Sequence, residues 1–287
     1  MELLDGKFLS AQIKEEIKLQ IDGLKSEGKR VPNLVAVIVG DNPASQTYVA
    51  SKAKNCDAVG MQSSVKTLPE NISEAELFNV ISELNMDKAV DGFIVQLPLP
   101  KHISEKKIIE AIAPDKDVDG FHPINLGKLM LGEDTFIPAT PMGIMEMLKR
   151  YQIETKGKNA VVIGRSNIVG TPISLLLSRN TNPGNCTVTL CHSSTKNLKE
   201  ICQSADIIVA AIGKKNFVTA DMVKDGAVII DVGINRIAGE KKIYGDVDFE
   251  NVAPKCSYIT PVPGGVGLMT IAALMLNTIK SYQNKNL

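Results

Sequence analysis

The sequence carries no charge excess, no paired-cysteine framework and no apolar run long enough to cross a bilayer, and each absence removes a class of function. Lys plus Arg and Asp plus Glu stand at 32 each in 287 residues, so no net field draws the chain to phosphate polymers or anionic membranes. Neither nucleic acid nor a membrane is an expected partner. The most apolar stretch, residues 266–279, falls short of the roughly 20 residues that a spanning helix needs. The opening MELLDGKFLSAQIKEE has early acidic residues and no long apolar run, which reads as neither a secretory signal nor a transit peptide. A cytoplasmic protein is expected. The five cysteines, Cys56, Cys186, Cys191, Cys202 and Cys256, are odd in number, with no CxxC pair and no histidine at ligand spacing. Free thiols in a reducing compartment follow, most of them buried as small hydrophobes, and no metal site is expected.

At 44% hydrophobic composition, the chain is long enough for two ordinary cores. Short apolar runs alternate with helical patterns: LVAVIV, SSVKTL and GFIVQL in the first half, then AVVIG, TVTLC, DIIVAAIG and AVIIDVG. Such alternation implies βαβ units and parallel sheets, and nearly continuous apolar strands imply helices on both faces. The expected fold is therefore α/β with two domains, each a mainly parallel sheet flanked by helices. A proline-bounded helix with a polar, Gly-containing link (PATPMGIMEMLKRYQIETKGKN) places the boundary near residue 139. The first domain spans residues 1–139, and the last helix, about 271–287, is expected to pack back on it. Residues 140–270 form the second domain, Rossmann-like.

AVVIGRSNIVGTPISLLL reads as strand, glycine turn and helix, an arrangement that points N–H groups and the helix dipole at a phosphate. Its glycines depart from the G-x-G-x-x-G fingerprint: Ser166 stands at the second, and Gly170 arrives one residue late. An ordinary tight turn of a doubly wound domain is the alternative. The next strand ends in His192, Ser193, Ser194 and Thr195 rather than in an acid. Without a carboxylate to repel a 2′-phosphate, and with Arg165 and His192 able to bind one, NADP is favoured over NAD. A surface-loop histidine is the plainer reading of His192. A serine nucleophile at Ser166 is disfavoured, because G-x-S-x-G fails at Ile168.

In the first domain, Asn42 and Pro43 read as a helix start and Gly60 as its end. Tyr48 and Lys52 lie four apart and share a face; a solvated surface pair is the alternative. Gln96 ends an apolar strand before Pro98, where α/β folds bind ligands, although it could equally be a satisfied strand-end amide. PDKDVDGFHPIN spaces Asp115, Asp117 and Asp119 like the opening of a calcium loop, but its twelfth position is Leu126. A rigid loop presenting one carboxylate is the better reading.

YVASK, VQLPLP, KDVDGFHPIN, GRSNIVGTP, DVGIN and YITPVPGGVGLMT occur in one order, and together they resemble the bifunctional methylenetetrahydrofolate dehydrogenase/methenyltetrahydrofolate cyclohydrolase family. The resemblance runs from LLDGK to the last helix. It implies NADP-dependent oxidation of methylene-tetrahydrofolate to the methenyl cation and hydrolysis to formyl-tetrahydrofolate, in a cleft between domains of a homodimer. It further implies proton transfer by Lys52, a Gln96 that holds and tunes it, a Tyr48 that lines the folate site, and an Asp119 that anchors the pterin. Val95, Leu97 and the loop of Pro263, Gly264, Gly265, Val266 and Gly267 are implied folate contacts. Gly164, Arg165, Ser166, His192, Ser193 and Ile234 are implied cofactor contacts. Leu268 stands where the family usually has Pro, which is expected to loosen the loop slightly.

Overall fold

The computed structural model describes residues 1–286 apart from Ala238 and Lys241. In chain order its elements begin with β1 (Glu2–Leu3), α1 (Gly6–Ser26), β2 (Asn33–Val39), α2 (Pro43–Ala58) and β3 (Gln62–Leu68). Next come α3 (Glu74–Met86), β4 (Gly92–Val95), α4 (Glu105–Ala111), α5 (Pro123–Leu131) and α6 (Ala139–Arg150). The chain continues through β5 (Asn159–Ile163), α7 (Gly170–Ser178), β6 (Thr187–Cys191), α8 (Leu198–Gln203), β7 (Ile207–Ala210) and β8 (Val228–Asp231). It closes with β9 (Asn235–Arg236), β10 (Ile243–Tyr244), α9 (Phe249–Val252), β11 (Tyr258–Ile259) and α10 (Val266–Asn286). Among the described residues no helix is long and apolar enough to cross a membrane.

Two compact units form, one of Gln12–Ala139 with Ile271–Leu287, the other of Met1–Ala11 with Thr140–Thr270. The first has a parallel sheet in the order β3-β2-β4. Central β2 buries all but its first residue. Alternate residues Val35, Val37 and Val39 join Leu77 and Ile81 of α3 and Ile108 of α4 in one core. α3 starts where the sequence supplies a capping box, Ser73 and Glu76 bonding reciprocally. β3 departs from the expected pattern: as an edge strand it is exposed along most of its length and on both faces, which suits its Ser, Lys and Thr residues.

The last helix docks on this unit through buried polar groups as well as apolar ones. Asn277 Nδ2 donates to the carbonyls of Val118 (2.8 Å) and Ile137 (2.9 Å). Ser281 Oγ donates to the carbonyls of Asp91 (2.6 Å) and Asp115 (2.9 Å). Buried carbonyls left over by loops need such partners. The two side chains thus tie the helix to the segment that carries Asp119.

The second unit has a parallel six-stranded sheet in the order β1-β11-β8-β7-β5-β6. The chain leaves β5 for β6 on one side and then crosses to β7 on the other, so a topological switch point lies at the carboxyl end of β5. Val161, Ile163, Ile208, Ala210, Ile229 and Ile259 fill the core with Cys191, Cys202 and Cys256. All five cysteines are free and buried. The first residues pack on this sheet rather than on the sheet of the first unit. Glu2 and Leu3 pair with Tyr258 and Ile259 at the sheet edge, and Asp5 N–H donates to the Tyr151 hydroxyl (2.9 Å). Met1–Ala11 therefore belong with the second unit.

Candidate active site

α2 is built as its sequence specifies. The Asn42 side chain accepts from Ser45 N–H (3.2 Å), Pro43 opens the helix, and Gly60 at φ +80° follows its end. Helical spacing then stacks Lys52 on Tyr48, with Lys52 Nζ 4.5 Å from the ring centroid. Lys52 is only 5% exposed. Its Nζ donates to Gln96 Oε1 (3.3 Å), while Gln96 Nε2 donates to the Leu97 carbonyl (2.7 Å). That second bond fixes the amide so that its oxygen, not its nitrogen, meets the ammonium. Gln96 N–H continues the sheet by donating to the Val37 carbonyl (2.8 Å). Strand pairing of β2 with β4 thus brings Gln96 from the sheet to a helix far away in sequence. Val95 is buried just before it, and Leu97 half-buried after it.

Of the three aspartates in the loop after α4, one faces Lys52. Asp115 is exposed. Asp117 is buried and accepts from His122 N–H (2.7 Å) and Asn125 Nδ2 (2.8 Å). Asp119 and Lys52 act on each other electrostatically. Burial lowers the Lys52 pKa below its ordinary value, and the Asp119 charge pulls it partly back up. Burial raises Asp119, and Lys52 draws it down. Tyr48 is raised by burial and by Asp119, and the Cys56 thiol, one turn on from Lys52, is pushed up to about 12, chiefly by burial. Both stay neutral at physiological pH. The site therefore holds one amine with a weakened hold on its proton, a neutral amide that adds no charge, and one carboxylate.

The dinucleotide turn lies at the switch point of the other unit. Gly164 has φ +116°, and a Cβ there would strike the Ala211 carbonyl oxygen. A Cβ on Gly170 would strike the Gly164 carbonyl, with its carbon 2.5 Å away. The late glycine thus performs the close helix-to-strand approach of the third fingerprint glycine. Ser166, at the position of the second, accepts through Oγ from the N–H groups of Val169 (3.2 Å) and Gly170 (3.3 Å), and so satisfies two amides at the start of α7. Among the described residues, the N–H groups of residues 165–168 donate to no protein acceptor. Arg165 and Ser166 are exposed. Gly164 N–H donates to the Cys191 carbonyl (2.9 Å), which places His192 and Ser193 beside the turn. His192 Nδ1 accepts from Ser194 N–H (3.2 Å), leaving Nε2 to carry the proton. These are the groups that would hold a dinucleotide phosphate.

Ile234 is 60% exposed, and a Cβ on Gly267 would approach its Cδ1 to 3.9 Å. Ile234 therefore adjoins the start of α10, whose first residues Val266 and Gly267 follow the loop of residues 263–265. In that loop Gly264 has φ +108°, and a Cβ on Gly265 would press on the Pro261 carbonyl oxygen. Leu268 N–H donates to the Gly265 carbonyl (3.2 Å), a bond that Pro could not make. Asp231, Asp246 and Thr260 are all buried beside these loops, and none of them stands out in the sequence as a site residue. The signal that could have found the two acids is aspartate next to glycine, in DVG and GDVD.

Family models for the tetrahydrofolate dehydrogenase/cyclohydrolase catalytic domain and NAD(P)-binding domain match residues 4–119 and 138–286. "Bifunctional protein FolD" of Cytophaga hutchinsonii is 58% identical over 98% of this chain and 99% of its own length. The crystal structure of the Campylobacter jejuni bifunctional enzyme FolD superposes with TM-score 0.95 at 54% identity, covering 99% of both chains. The Trypanosoma brucei methylenetetrahydrofolate dehydrogenase-cyclohydrolase, solved with NADP cofactor and inhibitor, gives TM-score 0.93 at 34% identity over 98% of this chain and 97% of its own. With both halves matched and relatives above half identity over nearly the full length, the chain belongs to the tetrahydrofolate dehydrogenase/cyclohydrolase family.

Proposed function

We propose that the protein oxidises 5,10-methylenetetrahydrofolate to the 5,10-methenyl cation with NADP and hydrolyses that cation to 10-formyltetrahydrofolate. The observation that carries this reading is the buried Lys52, bonded to Gln96 and stacked on Tyr48, in a chain that also holds a dinucleotide turn. Residues 12–139 with 271–287 carry Tyr48, Lys52, Gln96 and Asp119, and residues 1–11 with 140–270 carry the dinucleotide turn and the 263–267 segment. Residues 164–166 would hold NADP, which would supply the hydride acceptor needed to oxidise the methylene carbon to the methenyl level.

Alignment is the main requirement of that step. Asp119 supplies it by accepting paired hydrogen bonds from the pterin amino and ring N–H groups, while the Tyr48 ring and residues 95–97 line the bound folate. In the second step water attacks the methenyl carbon and loses a proton; the C–N5 bond then opens as N5 takes up a proton and the new hydroxyl gives up its own to become the formyl carbonyl. Lys52 takes the proton that the attacking water loses. For that it must be neutral, and burial makes this accessible nearer neutral pH than for an exposed lysine. Gln96 orients the amine without a negative charge that would hold the proton on it. A homodimer in the cytoplasm belongs to the same reading and rests on resemblance.

A paired assay tests the whole: NADPH formation from methylenetetrahydrofolate, and loss of methenyltetrahydrofolate without cofactor. Absence of either turnover sinks the corresponding half. Cofactor choice has its own test. The exposed Arg165 and the acid-free end of β6 suit a 2′-phosphate. A charge-assisted hydrogen bond contributes about 1.5–3 kcal/mol. Arg165→Ala should therefore raise KM for NADP at least about ten-fold and leave KM for NAD within about two-fold. An equal effect on both cofactors would remove Arg165 from the 2′-phosphate.

A further inference from the structure

Two carboxylates of the cofactor-binding unit are enclosed and have no part in the chemistry above. Asp246 is 0% and Asp231 3% exposed. Asp246 Oδ2 accepts from the N–H groups of Ile212 (2.7 Å) and Gly213 (2.9 Å). Its Oδ1 accepts from Lys214 N–H (2.7 Å) and Asn235 Nδ2 (2.9 Å). Three successive amides closing on one anion form a nest, and here the anion is the protein's own side chain. Asp231 in turn accepts from the N–H groups of Gly233 (2.9 Å), Asp246 (2.8 Å) and Val247 (2.9 Å). It fixes the backbone from which Asp246 projects. A Cβ on Gly233 would strike Asp246 Oδ1, and one on Gly245 would strike Asp231 Oδ2; both glycines leave room for the carboxylates.

The loop that Asp246 shapes abuts the dinucleotide turn. Ala211 N–H donates to the Ile163 carbonyl (2.8 Å), and Ala211 O occupies the space that a Cβ on Gly164 would need. Asn235, the fourth donor, directly follows Ile234. We propose that Asp246, with Asp231 behind it, is the positioning residue of the dinucleotide site: it sets residues 212–214 against the Gly164 turn and, through Asn235, holds Ile234 for the cofactor. The proposal rests on the NADP reading of that site.

The chemistry of the donors supports a carboxylate over any neutral isostere. Every partner offers N–H, so a carboxamide would face at least one of them with its own NH2 group. Burial pushes Asp231 up to about 6 against the pull of its amide donors, with a further push from Asp246. Two acids kept together at that cost are more than packing requires, because enclosed charge is expensive unless its hydrogen bonds serve a fixed geometry.

The test uses the full chain, with NADP affinity by calorimetry, dehydrogenase kcat and KM, and cyclohydrolase turnover without cofactor. Asp246→Asn is expected to raise Kd for NADP at least about ten-fold, the equivalent of about 1.4 kcal/mol, and to raise KM more than it lowers kcat. Cyclohydrolase turnover should stay within about two-fold, which a general loss of fold would not allow. Asn235→Ala keeps the acid but removes one donor. It should raise Kd about three-fold, and an unchanged Kd in this variant overturns the proposal if Asp246→Asn fails to fold. NADP affinity within two-fold of wild type in folded Asp246→Asn overturns it as well. A wild-type chain that does not bind NADP overturns the cofactor reading, and this proposal with it.

Discussion

Lys52→Met should abolish cyclohydrolysis, lowering kcat by about a thousand-fold, in the range that a positioned general base contributes, and leave NADP affinity unchanged. The amine is the group near Gln96 whose pKa is displaced in the direction a base needs. Methionine has nearly the same length and no proton to exchange. Stability separates chemistry from folding. The folded state holds the Lys52 ammonium in a buried place that lowers its pKa, so the charged form costs folding free energy at every pH below that lowered pKa. Methionine removes the cost along with the Gln96 bond. The variant should thus melt no lower than wild type by more than about 1 kcal/mol equivalent. Retained hydrolysis, read as loss of methenyl absorbance, would end the role assigned to Lys52.

The same lysine predicts a pH profile with a definite sign. Because the neutral amine is the base, kcat for hydrolysis rises with pH and levels off as Lys52 loses its proton, below the ordinary lysine value of 10.5. Asp119 raises that pKa. Asp119→Asn should therefore move the rising limb to lower pH, read at saturating folate because the pterin anchor is also lost. A limb that moves upward would contradict the electrostatic arrangement.

Gly170→Ala is expected to separate the two activities in the opposite sense. The new methyl group would meet the Gly164 carbonyl, with its carbon at 2.5 Å, and backbone on both sides leaves no flexible side chain to give way. The start of α7 must lift from the turn. Misplacement by about 1 Å costs about a hundred-fold in a reaction governed by alignment, so dehydrogenase kcat/KM for NADP should fall by at least that factor. Overpacking of this kind also costs about 1–3 kcal/mol of stability. Cyclohydrolase turnover, resting on Lys52, Gln96 and Tyr48, should remain within about three-fold. An unchanged KM for NADP would show that the close approach of α7 is not what shapes the cofactor site.

Much of this site was legible because its signals are local. Tyr48 and Lys52 share a face by helical period alone, and Gly164 closes an apolar run where a strand must turn. Other features were not, because they depend on contacts distant in sequence. β1 is two residues long and too short for periodicity; partnership with β11 makes it a strand and moves Met1–Ala11 to the second unit. By type and spacing the three loop aspartates looked alike, and only the resemblance singled out Asp119; the physical difference is the packing of His122 and Asn125 on Asp117.

By itself, the sequence determined the class of fold, the alternation of strands and helices, the apolar cores and the residues able to do the chemistry. Those follow from periodicity, turn residues and side-chain type, which act over a few positions. Only the tertiary structure decided which of those residues meet. Sheet register carried Gln96 to Lys52 and Gly164 to the end of β6, and burial then lowered the lysine's hold on its proton. Acids and glycines far apart in the chain became one brace around residues 212–214. The physical reason is the same in each case: pKa and hydrogen-bond partner are properties of an environment, and folding creates it.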